Sequence, residues 1–130
     1  MERLPTKAQW QAALEARHGK ALQEKFSQAT EAACGLGGLG SNIGIALAPA
    51  GVGQLILIDF DKVDLTNLHR QQYKANQLGQ PKTHALAENL REISPYLSLR
   101  LHTTRVTEKN FTALLKNADI ICEAFDQPQA

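Results

Sequence analysis

Residues 32–59, AACGLGGLGSNIGIALAPAGVGQLILID, decide the fold. Ala32, Ala33 and Cys34 read as a short strand of small residues that runs directly into a glycine-rich loop. Gly35, Gly37 and Gly40 satisfy the spacing G-x-G-x-x-G. In that spacing the first glycine permits a tight turn and the second lets phosphate approach the backbone. The third lets helix and strand pack closely. A helix through residues 43–51 is expected next, broken near Pro49 and closed by Gly51 and Gly53. QLILID at 54–59 is a continuous aliphatic run, as expected of a strand buried on both faces. Free N–H groups at the helix start, with the helix dipole, favour a phosphate there. Asp59 ends the second strand 19 residues after Gly40, where a carboxylate can accept hydrogen bonds from ribose hydroxyls. Two plainer readings stay open: a glycine turn without ligand, and an aspartate that caps a turn.

Outward from this unit the same alternation continues. Pro81 suits the first turn of a helix, KTHALAENLREIS, whose Ala85, Leu86, Leu90 and Ile93 form a stripe. LSLRLH at 97–102 alternates like a half-buried strand. A helix from about Glu108 to Lys116 leads into ADIICEAF, another fully apolar strand. The pattern predicts an α/β chain of Rossmann-like type: a mostly parallel sheet with helices on both faces. Residues 1–29 read as an N-terminal helical extension, and residues 30–130 as the sheet domain. In the extension, Thr6 can cap a first helix and Gly19 can end it. Trp10, Ala13, Leu14 and Arg17 fall on one narrow face, and a second helix offers Leu22 and Phe26 as its large apolar residues. Neither helix is stable alone, so both must lean on something else.

Composition narrows the function. The 130 residues carry 14 Lys and Arg against 13 Asp and Glu, a formal charge of +1. That balance speaks against a nucleic-acid binder or a polybasic membrane anchor. No apolar run is long enough to span a membrane, and MERLPTKAQW lacks the apolar segment of a secretory signal. A cytoplasmic location is expected. The loop 59–82, DFDKVDLTNLHRQQYKANQLGQPK, is unusually polar and brings Asn67, Arg70, Gln71 and Lys82 towards the glycine crevice. A dehydrogenase needs only a diphosphate site and an apolar face for nicotinamide. A triphosphate under attack carries more charge, which Arg and Lys stabilise. One short helical turn is expected around NLHRQQY.

GLGGLGSN at 35–42, AGVG at 50–53, LIDFDKVDLTNLHRQ at 57–71 and GQPK at 79–82 resemble the ThiF/MoeB/ubiquitin-activating-enzyme family. The resemblance covers about residues 12–127 and is nearest to short ThiF-like sulfur-carrier adenylyltransferases of thiamine biosynthesis. It implies Mg-ATP-dependent adenylation of the C-terminal glycine carboxylate of a ubiquitin-like sulfur carrier, with release of pyrophosphate. It further implies that Gly35, Gly37, Gly38 and Gly40 line the ATP pocket and that Asp59 holds the ribose. Asn67, Arg70 and Lys82 would engage the triphosphate, and Asp126 would support Mg²⁺. Arg17 resembles an N-terminal arginine that reaches into a partner subunit's site, which implies a homodimer; a plain surface arginine is the other reading. The family's shape also implies further strands and helices after Asp126, so the 130 residues read as an incomplete, N-terminal portion.

Cys34 and Cys122 are expected to be core residues without reactivity. The chain has no CxxC pair, so zinc is not implied, and the four histidines lack ligand spacing. Two competing readings remain: an NAD-binding oxidoreductase domain, and a catalytically inert dimeric module of the same fold.

Overall fold

The computed structural model describes residues 4–68 and 71–125, with the side chain of Asn67 outside that description. Four parallel strands form one sheet in the order β3-β2-β1-β4. They are β1 (Thr30–Cys34), β2 (Gln54–Ile58), β3 (Ser98–His102) and β4 (Ile120–Glu123). α3 (Gly38–Leu47) joins β1 to β2, α4 (Lys82–Ile93) precedes β3, and α5 (Phe111–Leu115) precedes β4. The chain therefore folds as the Rossmann-like α/β sheet that its pattern predicts.

β2 is central, and Leu55, Ile56, Leu57 and Ile58 are each at most 1% exposed. Their side chains alternate between two cores, as a strand's period of two requires. Leu55 and Leu57 join Ala33, Leu36, Ala48, Leu86 and Leu90 under α3 and α4. Ile56 and Ile58 join Ala32, Cys34 and Leu115 of α5 on the other face. Each such aliphatic side chain contributes about 1.5–3 kcal/mol on burial, so β2 anchors both layers. The small residues of β1 allow this: Ala32 and Ala33 leave room for the larger side chains beside them.

Several local expectations need correction. α3 begins at Gly38, inside the glycine loop, and ends at Leu47, where Pro49 has no N–H to continue it. α4 buries Ala85, Leu86 and Leu90, but Ile93 at its last turn is exposed. A short turn of the polar loop lies at Leu65–Asn67 and reaches the start of the predicted stretch, whose residues 69 and 70 lie outside the described residues. α5 spans only Phe111–Leu115. β4 is a sheet edge, and Ile120 and Ile121 are 56% and 44% exposed. Its apolar composition matched that of a central strand, but among the described residues β1 alone pairs with it.

The N-terminal helices are α1 (Lys7–His18) and α2 (Lys20–Gln28). Thr6 caps α1 in a reciprocal arrangement with Gln9, and Gly19 (φ +86°) separates the two helices. Leu14 is buried and Trp10 half-buried, whereas Ala13 and Arg17 are exposed. On α2 the expectation fails more sharply. Leu22 is exposed, and Gln23 is the buried residue, its amide set against Gly51. The pair leans on the sheet's N-terminal end: His18 Nε2 lies 3.0 Å from the Ala50 carbonyl oxygen, and Tyr96 donates to the Pro5 carbonyl. Among the described residues, no helix is long and apolar enough to cross a membrane.

Candidate functional site

The site lies at the opposite end, where the strands finish. After Cys34 the chain turns at Gly35 (φ +93°), whose N–H donates to the Ile58 carbonyl at 2.8 Å. A Cβ on Gly35 would meet the backbone of Ala124 at 2.8 Å, so the turn closes directly against the end of β4. Gly40 sits still closer: a Cβ there would lie 1.7 Å from the Gly35 carbonyl oxygen. The first turn of α3 therefore rests on the strand end. Gly37 precedes the helix without a side-chain cap, and Gly38 opens it, leaving first-turn N–H groups for a ligand. Ser41 Oγ donates to the Gly37 carbonyl at 2.5 Å and accepts the Gln72 N–H at 3.2 Å. This hydroxyl ties the polar loop to the helix start.

Asp59 is 6% exposed and fastens two loops. Its Oδ2 accepts the Leu36 N–H at 2.7 Å and its Oδ1 the Asp61 N–H at 2.9 Å. The turn-capping reading of this aspartate is thus realised, and each oxygen keeps a lone pair for a further donor. Residues 61–63 then run beside 79–82: the Val63 N–H donates to Gln80, and the Lys82 N–H to the Asp61 carbonyl. That pairing delivers Lys82, at the first position of α4 and 5% exposed, to the same cleft. Tyr73 donates its hydroxyl to the Leu36 carbonyl at 2.6 Å, and burial raises its pKa above the ordinary phenol value.

The resulting cleft has a volume of about 260 Å³ and is lined by Gly35, Leu36 and Gly37 of the glycine turn. Asp59, Phe60, Asp61 and Lys82, with Arg105, Ala124 and Phe125, complete its lining. Backbone amides, two carboxylates and two cations thus converge at the β1–β4 switch point, the place where open α/β sheets receive ligands.

The predicted residues distribute unevenly. Gly35, Gly37, Asp59 and Lys82 line the cleft, and Gly38 and Gly40 build the helix beside it. Gln71 does not line it; its buried side chain fronts a neighbouring hollow with Ile45 and Asn89, and its amide atoms have no hydrogen-bond partner among the described residues. Arg17 is exposed on α1, at the other end of the sheet from this chain's own cleft. Arg70, Asp126 and the Asn67 side chain lie outside the described residues. Sequence reasoning missed Phe60, Asp61 and Arg105. Phe60 and Asp61 directly follow Asp59, and Arg105 follows a strand end, so position after a parallel strand was the available signal.

Both cysteines are held in the thiol form. Burial pushes Cys34 up to about 11, helped by the negative charge of Glu123. Cys122 donates to Glu31 at 3.0 Å, and this hydrogen bond raises it to about 11. Against the ordinary thiol value of 9.0, folded-state protection is complete below about pH 9 and is lost as pH rises to about 11. At pH 8 roughly one thiol in a thousand is thiolate. Alkylation by iodoacetamide is expected to be slow at pH 8 and to accelerate on unfolding; rapid labelling of the folded chain would contradict this environment.

Comparisons with known proteins bear on this geometry. The model of the ThiF family matches residues 9–130. The chain is 39% identical over 93 residues to an adenylyltransferase and sulfurtransferase MOCS3 of Caenorhabditis briggsae, covering 71% of this chain and 23% of that protein. It is 31% identical to a sulfur carrier protein adenylyltransferase of Thermus thermophilus, covering 80% and 39%. A molybdopterin-synthase adenylyltransferase of Salmonella typhimurium is 35% identical, with 80% and 42% covered. The chain thus spans well under half of these relatives. Among solved structures, the E. coli tRNA N6-threonylcarbamoyladenosine dehydratase TcdA in complex with ATP superposes with a TM-score of 0.85. Its identity is 28%, covering 96% of this chain and 53% of that one.

Proposed function

Since this chain belongs to the ThiF family, we propose that it carries the ATP-binding part of an adenylyltransferase that activates the terminal carboxylate of a ubiquitin-like sulfur carrier. The observation that carries the reading is Lys82, a buried ammonium at the cleft with no carboxylate partner among the described residues. A cation held in that way suits a polyphosphate better than a nicotinamide ring. The cleft also suits the rest of a nucleotide, since Gly37, which lines it at the start of α3, puts no side chain between the first-turn N–H groups and an approaching phosphate.

In this proposal the α3 N-terminus and Lys82 hold the phosphates and Asp59 accepts from the ribose. Asn67 and Arg70 add to the triphosphate site, Gln71 supports the loop that presents them, and Asp126 helps to hold Mg²⁺, which would draw charge from the phosphates when bound. The carrier's carboxylate is already ionised at neutral pH, so no general base is needed. Positioning and electrostatic stabilisation are the chain's contribution. A homodimer in which Arg17 serves the partner's cleft accounts for its exposure at the far end of the sheet. The pathway of the carrier, thiamine or another, and a cytoplasmic setting belong to the same proposal.

Titration with Mg-ATP and with NAD tests the reading, followed by carrier-dependent ATP–pyrophosphate exchange. ATP is expected to bind more tightly than NAD, and tighter NAD binding overturns adenylation. Nucleotide binding without exchange, here and in a longer form of the chain, favours the inert module. Mixing Arg17→Ala and Arg70→Ala chains should restore part of the exchange lost by each; no recovery removes Arg17 from the site.

A further inference from the structure

The phosphate and ribose assignments leave one wall of the cleft without a role. Sheet order runs β3-β2-β1, so a phosphate at the glycine loop lies over β1 and a ribose at Asp59 over β2. The base of the same nucleotide continues towards β3. Phe60, next to Asp59, and Arg105, in the loop after β3, stand at that place in the cleft wall. The Arg105 guanidinium carbon lies 4.1 Å from the centre of the Phe60 ring.

The pair is anchored from behind. Asn110 Nδ2 donates to the Arg105 carbonyl at 2.9 Å, and Val106 packs against the core that contains Ile56 and Ile58. Among the described residues no carboxylate forms an ion pair with Arg105. The aromatic ring therefore orients the guanidinium, and no acidic neighbour occupies its donors. A guanidinium has donors only, which matches ring nitrogens of a purine; both groups also stack on bases.

We infer that Arg105 and Phe60 form the base-recognition wall of the cleft, with Arg105 donating to a ring-nitrogen acceptor of a purine. The inference rests on the nucleotide reading above. It makes Arg105 a specificity-determining residue, distinct from the phosphate-binding cations.

Calorimetric titration of the unsubstituted chain, Arg105→Ala, Arg105→Lys and Phe60→Leu with ATP, CTP and inorganic tripolyphosphate tests it, with a melting curve on each. Arg105→Ala is expected to weaken ATP binding about fivefold, the scale of one cation–π contact and its donor. It should shrink the preference for ATP over CTP by the same factor and leave tripolyphosphate unchanged. Arg105→Lys should not restore ATP binding, because lysine lacks the planar fork, and Phe60→Leu should resemble Arg105→Ala. An equal loss for tripolyphosphate overturns the inference and makes Arg105 a phosphate ligand. Unchanged ATP binding overturns it alone, as a surface cation. Absence of ATP binding by the unsubstituted chain overturns the nucleotide reading and this inference with it.

Discussion

Replacing Lys82 by methionine is expected to lower carrier-dependent ATP–pyrophosphate exchange at least about 100-fold, on the scale of losing one preorganised charge from a reacting site. The same change should leave the fold intact and raise its stability by about 1–2 kcal/mol, from two causes. Lys82 is 5% exposed, and Lys74–Glu92, across the surface, is the ion pair found among the described residues. It also occupies the first position of α4, the positive end of that helix's dipole. A buried cation at that end of a helix works against folding, which makes sense if an anion arrives there. Methionine keeps the length and removes the charge. Thermal melts with and without ATP check it: a large fall in melting temperature for Lys82→Met would show a structural lysine. Retained exchange would remove it from the reaction.

Two glycines of one helix should respond to alanine with opposite sign. Gly40→Ala places a methyl group 1.7 Å from the Gly35 carbonyl oxygen and 2.8 Å from its carbon. Both are backbone atoms of the tight turn that also abuts Ala124, so no side chain can swing away. A cost above about 3 kcal/mol is expected, a large part of the total stability of a domain this size. Nucleotide binding should be lost with it. Gly44→Ala, one turn later, meets Leu86 at 3.4 Å and Leu90 at 3.6 Å, ordinary contact with flexible side chains. There the usual preference of helices for alanine should prevail, for a gain of up to about 1 kcal/mol. Urea denaturation reads both, and coincident midpoints for the two variants would sink the packing account of the glycine loop.

The fold was legible because its signals are local. A four-residue aliphatic run, a G-x-G-x-x-G spacing and a proline before an amphipathic helix each follow from backbone conformation and side-chain periodicity. The same holds for Asp59 and Lys82, whose positions relative to strand end and helix start are set by short stretches of chain. Legibility failed where neighbours decide. Leu22 and Gln23 are adjacent on α2, and composition favours burying the leucine; the presence of Gly51 opposite Gln23 reverses that. Ile120 and Ile121 have the composition of a central strand, yet among the described residues β4 has β1 on one side only.

The amino-acid sequence by itself determined the α/β class, the glycine-rich turn and family membership, since each depends on residues close together in the chain. The tertiary structure alone decided which charges share the cleft. Arg105 and Phe60 lie 45 residues apart and meet because β2 and β3 are neighbours in the sheet. Gln71, one residue beyond the motif arginine, turns instead to a hollow beside α4. Side-chain direction and strand order follow from packing across the whole sheet, and no short window of sequence carries them.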